Sequence, residues 1–427
     1  MKKYHLILAS CLIWSCLTAC EEKGNGDPGP WENSGALAEY TVTPINGGAT
    51  ISYVIPDDPG LLYIMAEFER NGATYTEKSS IYKNSLTIDG FNTTDPVKVT
   101  LYKVNKQGQK SSPKEVEFTP LESLLSITQR TLKFMTGFGG IIASWENPYC
   151  TELGFRLMIE DNETGKGLET VEMYYSDIAK DKHSFRGFEA KETTFALSIE
   201  DKWGNVSDTM LFKTTPFFES IVEKPYADYR AYIPYDNTTN LSSRYPFTNL
   251  WDNIVNTSRN GWLTQSGSSG RSMTIDLKQK VKLSRIVTHG YHVNSILEQA
   301  NITGYELWGT DKIDNDLLSD KAYWLDEISV REGAIKGVDP ATILPDKTFK
   351  DDWEFLGECY YPDYRNDAAA YAALSASGVE LELSDKARPV RYIRMIVRQV
   401  ILNDVPASNY FSMGEITLYG DTTVPQN

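Results

Sequence analysis

The chain has 427 residues, with 58 acidic against 42 basic side chains for a net charge of −16, and 12% of its residues are aromatic, 25 of them tyrosine. An excess of acid on this scale argues against nucleic acid and anionic surfaces as partners, since both are bound through basic patches. The length suits about three domains, and the aromatic content suits all-β domains and carbohydrate contact alike.

The N-terminus reads as a processing signal. Lys2 and Lys3 precede an apolar run over 6–17 that is too short to span a bilayer as a stable helix. It ends in Leu17-Thr18-Ala19-Cys20, which resembles the bacterial lipobox. The resemblance implies a signal peptide over 1–19 and a lipid on Cys20, with a plain secretory cleavage site as the alternative. Residues 20–30, rich in Gly and Pro, then form a tether. Its acidic pair Glu21-Glu22 resembles the surface-export signal of Gram-negative glycan-scavenging lipoproteins, which implies a protein anchored in the outer membrane and facing outward. Loss of Lys2 and Lys3 with the signal leaves 40 basic and 58 acidic side chains, a mature charge of −18. Of the five cysteines, Cys11 and Cys16 leave with the signal and Cys20 is acylated. Cys150 and Cys359 are too few for a disulfide framework or a cysteine zinc site.

The next two domains emerge from an internal repeat. Gly47-Gly48 leads to Tyr53 and Pro56, and Gly139-Gly140 leads to Trp145 and Pro148 at identical offsets. Further on, Lys106-Gln107-Gly108 leads to Thr119-Pro120, and Lys202-Trp203-Gly204 leads to Thr215-Pro216. Alternating strands broken by Gly and Asn turns are the pattern of a β-sandwich. Two tandem fibronectin/immunoglobulin-like β-sandwiches are therefore predicted, over 31–120 and 121–218, with Tyr53 and Trp145 in their cores. Trp203 sits in a hairpin turn, where it either caps the sandwich or touches ligand. A tyrosine-rich connector over 219–244 follows.

From about Tyr245 a longer all-β unit begins, with strands predicted over 272–277, 283–287, 305–308, 390–397 and 414–420. Its ordered motifs are Leu250-Trp251-Asp252, Trp262, Asp276-Leu277, the 305–310 and 353–357 segments, 390–395 and the closing Gly414-Glu415 run. This set resembles the discoidin (coagulation factor type C) family over 245–422, which implies a galactose-binding-like jelly roll. The three-domain arrangement is similar to the outer-membrane lipoproteins of polysaccharide-utilisation systems. That likeness implies glycan capture beside a membrane transporter and its partner lipoproteins. Family members also hold a structural calcium with an entry-loop Asp, a nearby hydroxyl and a Glu near the C-terminus. Asp252, Thr257 and Glu415 match in type, and oxygen ligands suit that hard cation. Here, however, Asn253 stands where the family has glycine. The alternative is that Asp252 and Glu415 cap turns and pair with arginine.

Enzymatic chemistry lacks parts. The mature chain has only His183, His289 and His292, and no Gly-x-Ser-x-Gly elbow precedes a helix. Glycoside hydrolysis needs only two carboxylates, and Asp351-Asp352 beside Trp353 is the nearest candidate, but neighbouring strand residues point to opposite faces. A non-catalytic glycan-binding protein is the expectation, with a docking scaffold for other outer-membrane proteins and a glycoside hydrolase as alternatives. Sugars need aromatic platforms for their C–H faces and polar groups for their hydroxyls. Such residues gather in expected loops of the third domain: Tyr291 and His292, then Tyr360, Tyr361, Tyr364, Arg365 and Asn366, then Asn409 and Tyr410. Trp308, Tyr392 and Trp353 lie in strand motifs and are expected in the core.

Overall fold

A computed structural model describes residues 30–32, 34–161, 167–255, 257–267, 269–294, 296–297, 300–363, 367–401 and 410–426. Cys20 and most of the expected tether lie outside the described residues, as do Tyr364, Arg365, Asn366 and Asn409. Among the described residues no helix is long and apolar enough to cross a membrane, and Cys150 and Cys359 are free thiols.

The chain is all-β in character and divides into two compact units. The first unit holds a complete sandwich. One sheet pairs Tyr40–Ile45, Gly48–Tyr53 and Ser85–Ile88, and the other orders Ala73–Ser80, Leu61–Arg70, Val97–Asn105 and Lys114–Phe118. Period-two burial sends Ile51, Tyr53, Ile64, Ala66, Val99 and Leu101 into one apolar core. The same set of three and four strands recurs from Lys133–Gly137 to Met210–Thr214. There Trp145 is buried and stacks on Phe155 with ring centroids 3.8 Å apart.

The repeated glycine pair has one physical cause in both copies. Gly47 and Gly139 turn the chain with φ of 64° and 63°, the left-handed region that side chains resist. Their successors lie against a neighbouring strand. A Cβ on Gly48 would stand 2.0 Å from the Ile88 carbonyl oxygen, and one on Gly140 would stand 1.8 Å from that of Phe185. The later hairpins match too. Asn105 Oδ1 accepts the Gln107 and Gln109 N–H groups, and Asp201 Oδ1 accepts those of Trp203 and Asn205. Trp203 is half-buried and crowds Gly90.

The second unit contains the third domain, whose main sheet runs Ser220–Ile221, Glu415–Asp421, Ser272–His289, Val390–Val400, Ile302–Thr310 and Glu354–Tyr360. The two strands expected over 272–277 and 283–287 are one 18-residue strand. Its first part pairs with Val390–Val400 and its last part with Glu415–Asp421, with a register shift between Asp276 and Val281. Asp276 holds that corner. It accepts the N–H of Lys278, whose φ is 63°, at 2.7 Å, and it takes a two-pronged ion pair from Arg391. Residues 219–244 share this core, since Val222 and Tyr226 are buried in it.

Short helices interrupt the expected all-β pattern at Glu327–Arg331, Phe349–Asp352 and Ala368–Ser377. Trp353 is buried as expected, but Trp308 and Tyr392 are only half-buried, on the opposite sheet face from the main core. Tyr229 packs on Tyr392 with centroids 5.1 Å apart, and Phe349 meets Trp308 edge-on at 5.9 Å.

Candidate functional site

The third domain has two ends, set by the strand Ile302–Thr310; its nine residues span about 30 Å. At the Thr310 end lies a cavity of about 580 Å³ lined in part by Tyr323, Trp353, Lys347, Asp352, Glu354 and Arg388. Several of its charges are paired. Lys347 pairs with Asp352 at 2.8 Å and Arg388 with Glu354 at 2.9 Å. Asp352 also accepts the Tyr323 hydroxyl, and Asp351 closes a capping box with Thr348. Asp351 and Asp352 thus sit in a helix, not on a strand: Asp351 caps it, and Asp352 is held by Lys347 and Tyr323.

At the Ile302 end four loops meet, those that carry Tyr245, Arg259, Tyr291 and Tyr410. Asn301 is buried, and its side chain accepts the Tyr291 N–H at 3.0 Å while donating to the Tyr291 carbonyl. The Arg259 N–H donates to the His292 carbonyl at 2.8 Å, and the Asn294 N–H to Ser258 Oγ at 3.1 Å. These bonds lace the 257–261 turn to the 290–294 loop. Tyr245 meets the Tyr291 ring edge-on with centroids 6.0 Å apart. Burial first, then the hydroxyl of Tyr245, pushes Tyr291 up to about 12, against the pull of the nearby Arg259 guanidinium. Tyr410 joins the group through electrostatic interaction with Tyr245 and Tyr291, and burial raises its pKa. Arg244 lies over the Tyr245 ring at 5.5 Å.

The expected site residues divide on this frame. Tyr291 and Tyr410 join the cluster, with Tyr410 and Tyr245 half-exposed and Tyr291 buried beneath. His292 is buried, and burial lowers its pKa. It braces the loop through its carbonyl and is corrected from a sugar contact to a support. Tyr360 is 53% exposed at the end of its strand. Tyr361 is corrected outright: it is 7% exposed, lies in the main core, and its hydroxyl donates to Thr288 Oγ1 at 2.6 Å. Strand alternation separates the two neighbours, which composition alone made equivalent. Tyr361→Phe should therefore cost about 1 kcal/mol of stability and leave glycan retardation in gels unchanged; a loss of retardation at unchanged melting temperature would return Tyr361 to the site. Arg244, Tyr245 and Arg259 were not singled out from sequence. Their only local signal is an arginine or aromatic in a turn.

The oxygen set expected for calcium does not fit that ion. Glu415 is fully buried, and its Oε1 takes the Lys224 ammonium and the Asn253 N–H. Asp252 accepts the Ile254 N–H at 2.8 Å and the Asn260 amide at 3.1 Å, as a turn cap does. Thr257 is exposed, with its hydroxyl turned to the Val255 carbonyl at 3.4 Å. An ammonium already supplies the positive charge, and it comes from lysine, not from the arginine of the alternative reading. Burial pushes the Glu415 carboxyl up, and Lys224 draws it back. Among the described residues no group of three or more His, Cys, Asp or Glu side chains is placed to hold a metal.

Family models match three successive segments: residues 34–120 match DUF4959, residues 121–225 match DUF5126 and residues 251–420 match DUF5000, each described as a domain of unknown function. No curated protein matches the sequence. Among solved structures, a SusE-like protein is 17% identical, with 69% of this chain and 98% of that chain covered and a TM-score of 0.37. A two-domain fibronectin type-III segment of chicken tenascin is 12% identical, with 42% and 97% covered and a TM-score of 0.20. The module CBM32-1 from a family 31 glycoside hydrolase of Clostridium perfringens is 11% identical, with 45% and 99% covered and a TM-score of 0.24.

Proposed function

We propose that this chain is a non-catalytic glycan-binding protein whose third domain holds sugar at the Tyr245, Tyr291 and Tyr410 cluster. In this reading Cys20 carries the lipid that tethers it to the outer membrane, and it captures polysaccharide at the cell surface for a transporter and partner lipoproteins. The observation that carries the proposal is the cluster itself. Half-exposed Tyr245 meets the buried Tyr291 edge-on, Asn301 holds the Tyr291 backbone through two hydrogen bonds, half-exposed Tyr410 interacts electrostatically with both rings, and the Arg244 guanidinium lies over the Tyr245 ring. Such rings offer flat apolar faces to sugar C–H groups at little entropic cost, and their hydroxyls and the guanidiniums satisfy sugar oxygens.

Tyr245→Ala and Tyr410→Ala, made separately in the full chain, test the site. Each should weaken binding by about 1–3 kcal/mol, which for a weak site erases retardation in polysaccharide gels, while melting stays close to wild type because both rings are half-exposed. If both variants keep wild-type retardation, sugar is held elsewhere. If no polysaccharide retards the wild type and an outer-membrane protein co-purifies instead, the protein is a docking scaffold.

A further inference from the structure

The arginines of the third domain are distributed in a way that the fold does not require. Among the described residues from 226 onward, every arginine other than Arg244 and Arg259 has a carboxylate within 4.0 Å. In a chain of net charge −16, carboxylates are plentiful, so an arginine without one is the exception. The two exceptions stand at the tyrosine cluster, both exposed, Arg244 over the Tyr245 ring and Arg259 with its backbone N–H bonded to the His292 carbonyl next to Tyr291.

A second, independent observation concerns the backbone. Arg259 has φ of 64°, in the left-handed region. Glycine or asparagine takes that conformation at lower cost, and a long side chain there is uncommon. The turn closes through the Asn260 N–H to the Thr257 carbonyl at 3.1 Å and does not use the guanidinium. The conformation serves the backbone, whose N–H donates to the His292 carbonyl, and leaves the exposed guanidinium, which has no ion pair among the described residues, available to a ligand.

Resting on the glycan-binding reading above, we infer that this site selects acidic glycans, in which a uronate carboxylate or a sulfate ester pairs with Arg259 and Arg244 while the ring lies on the tyrosines. Guanidinium groups bind such planar or tetrahedral oxyanions through paired, charge-assisted hydrogen bonds. The acidic surface elsewhere repels polyanions at long range, so an acidic sugar is held only where these two cations concentrate. A neutral sugar offers the guanidiniums only hydroxyl oxygens, and the site forgoes the charge-assisted pairing that an acidic sugar supplies.

The test is affinity electrophoresis of the full chain in polygalacturonate, chondroitin sulfate and neutral galactan, with Arg259→Gln, Arg259→Lys and Arg244→Gln alongside. The wild type should be retarded by an acidic polymer and not by galactan. Arg259→Gln should weaken that retardation about 10- to 100-fold, as expected for loss of a charge-assisted hydrogen bond, with Arg259→Lys between the two. Retardation by polygalacturonate alone identifies the uronate as the partner, and retardation by chondroitin sulfate after removal of its uronate charge identifies the sulfate. If galactan retards the wild type as strongly and the arginine variants behave like it, the acidic preference is overturned while glycan binding stands. If no polymer retards the wild type, the glycan reading fails and this inference fails with it.

Discussion

Replacing Lys224 with methionine should lower the stability of the third domain by about 3–5 kcal/mol, the usual cost of leaving one half of a buried ion pair behind. The Lys224 side chain is 8% exposed and that of Glu415 is 0%. Without the ammonium, Glu415 keeps only the Asn253 N–H, and its Oε2 already has no hydrogen-bond partner among the described residues. The carboxyl would then take up a proton, so the variant should regain stability as pH falls through the raised Glu415 pKa. The double variant Lys224→Met with Glu415→Gln should recover most of the loss, because removing both charges is often close to neutral. Thermal melting in calcium and in chelator completes the experiment. The wild-type midpoint should not move with either, since a ligand that does not bind the native state cannot stabilise it. A wild-type midpoint that climbs with calcium would mean that Glu415 and Asp252 exchange the ammonium for metal, and a Lys224→Met midpoint equal to wild type would remove the pair from the account.

Asp326→Asn should cost a similar amount, about 3–5 kcal/mol, and should also flatten the acid limb of the stability curve. Burial alone would raise the Asp326 pKa. Arg398 grips both its oxygens at 2.7 and 2.9 Å, Lys350 adds a contact at 2.8 Å, and together they hold the carboxyl well below the usual carboxylate range. Its second duty is local: Asp326 Oδ2 accepts the Ser329 N–H and so caps the helix Glu327–Arg331. A folded pKa below the unfolded value contributes stability above about pH 4, the ordinary value for aspartate, and that contribution is lost as pH falls toward the folded pKa. The wild type should therefore lose stability steadily in acid, whereas Asp326→Asn should start lower and fall less. Chemical denaturation at several pH values between neutral and strongly acid measures both. Parallel curves for the two proteins would show that the acid sensitivity arises elsewhere, for instance from Glu306, which Arg398 also holds down.

Sequence by itself determined the features that rest on local physics. The all-β class and the tandem sandwiches follow from two-residue alternation and from the glycine pairs at Gly47 and Gly139, whose left-handed backbone and crowded successors leave a mark in any one copy of the repeat. Trp145 and Tyr53 were legible as core because large rings at alternating positions have nowhere else to go. The short helices were not legible, since each spans ten residues or fewer and several depend on a single capping side chain such as Asp326 or Asp367. Nor was the fate of Tyr361, because the same tyrosine-rich run ends a strand, and only its register against Ile302–Thr310 decides which ring turns inward. The ammonium beside Glu415 comes from a residue 191 positions earlier in the chain, and Tyr245, Arg259, Tyr291 and Tyr410 come from four separate loops. No period or spacing encodes such meetings. They are set by strand register and by which loop lies over which, and those are decided only when the whole sheet closes.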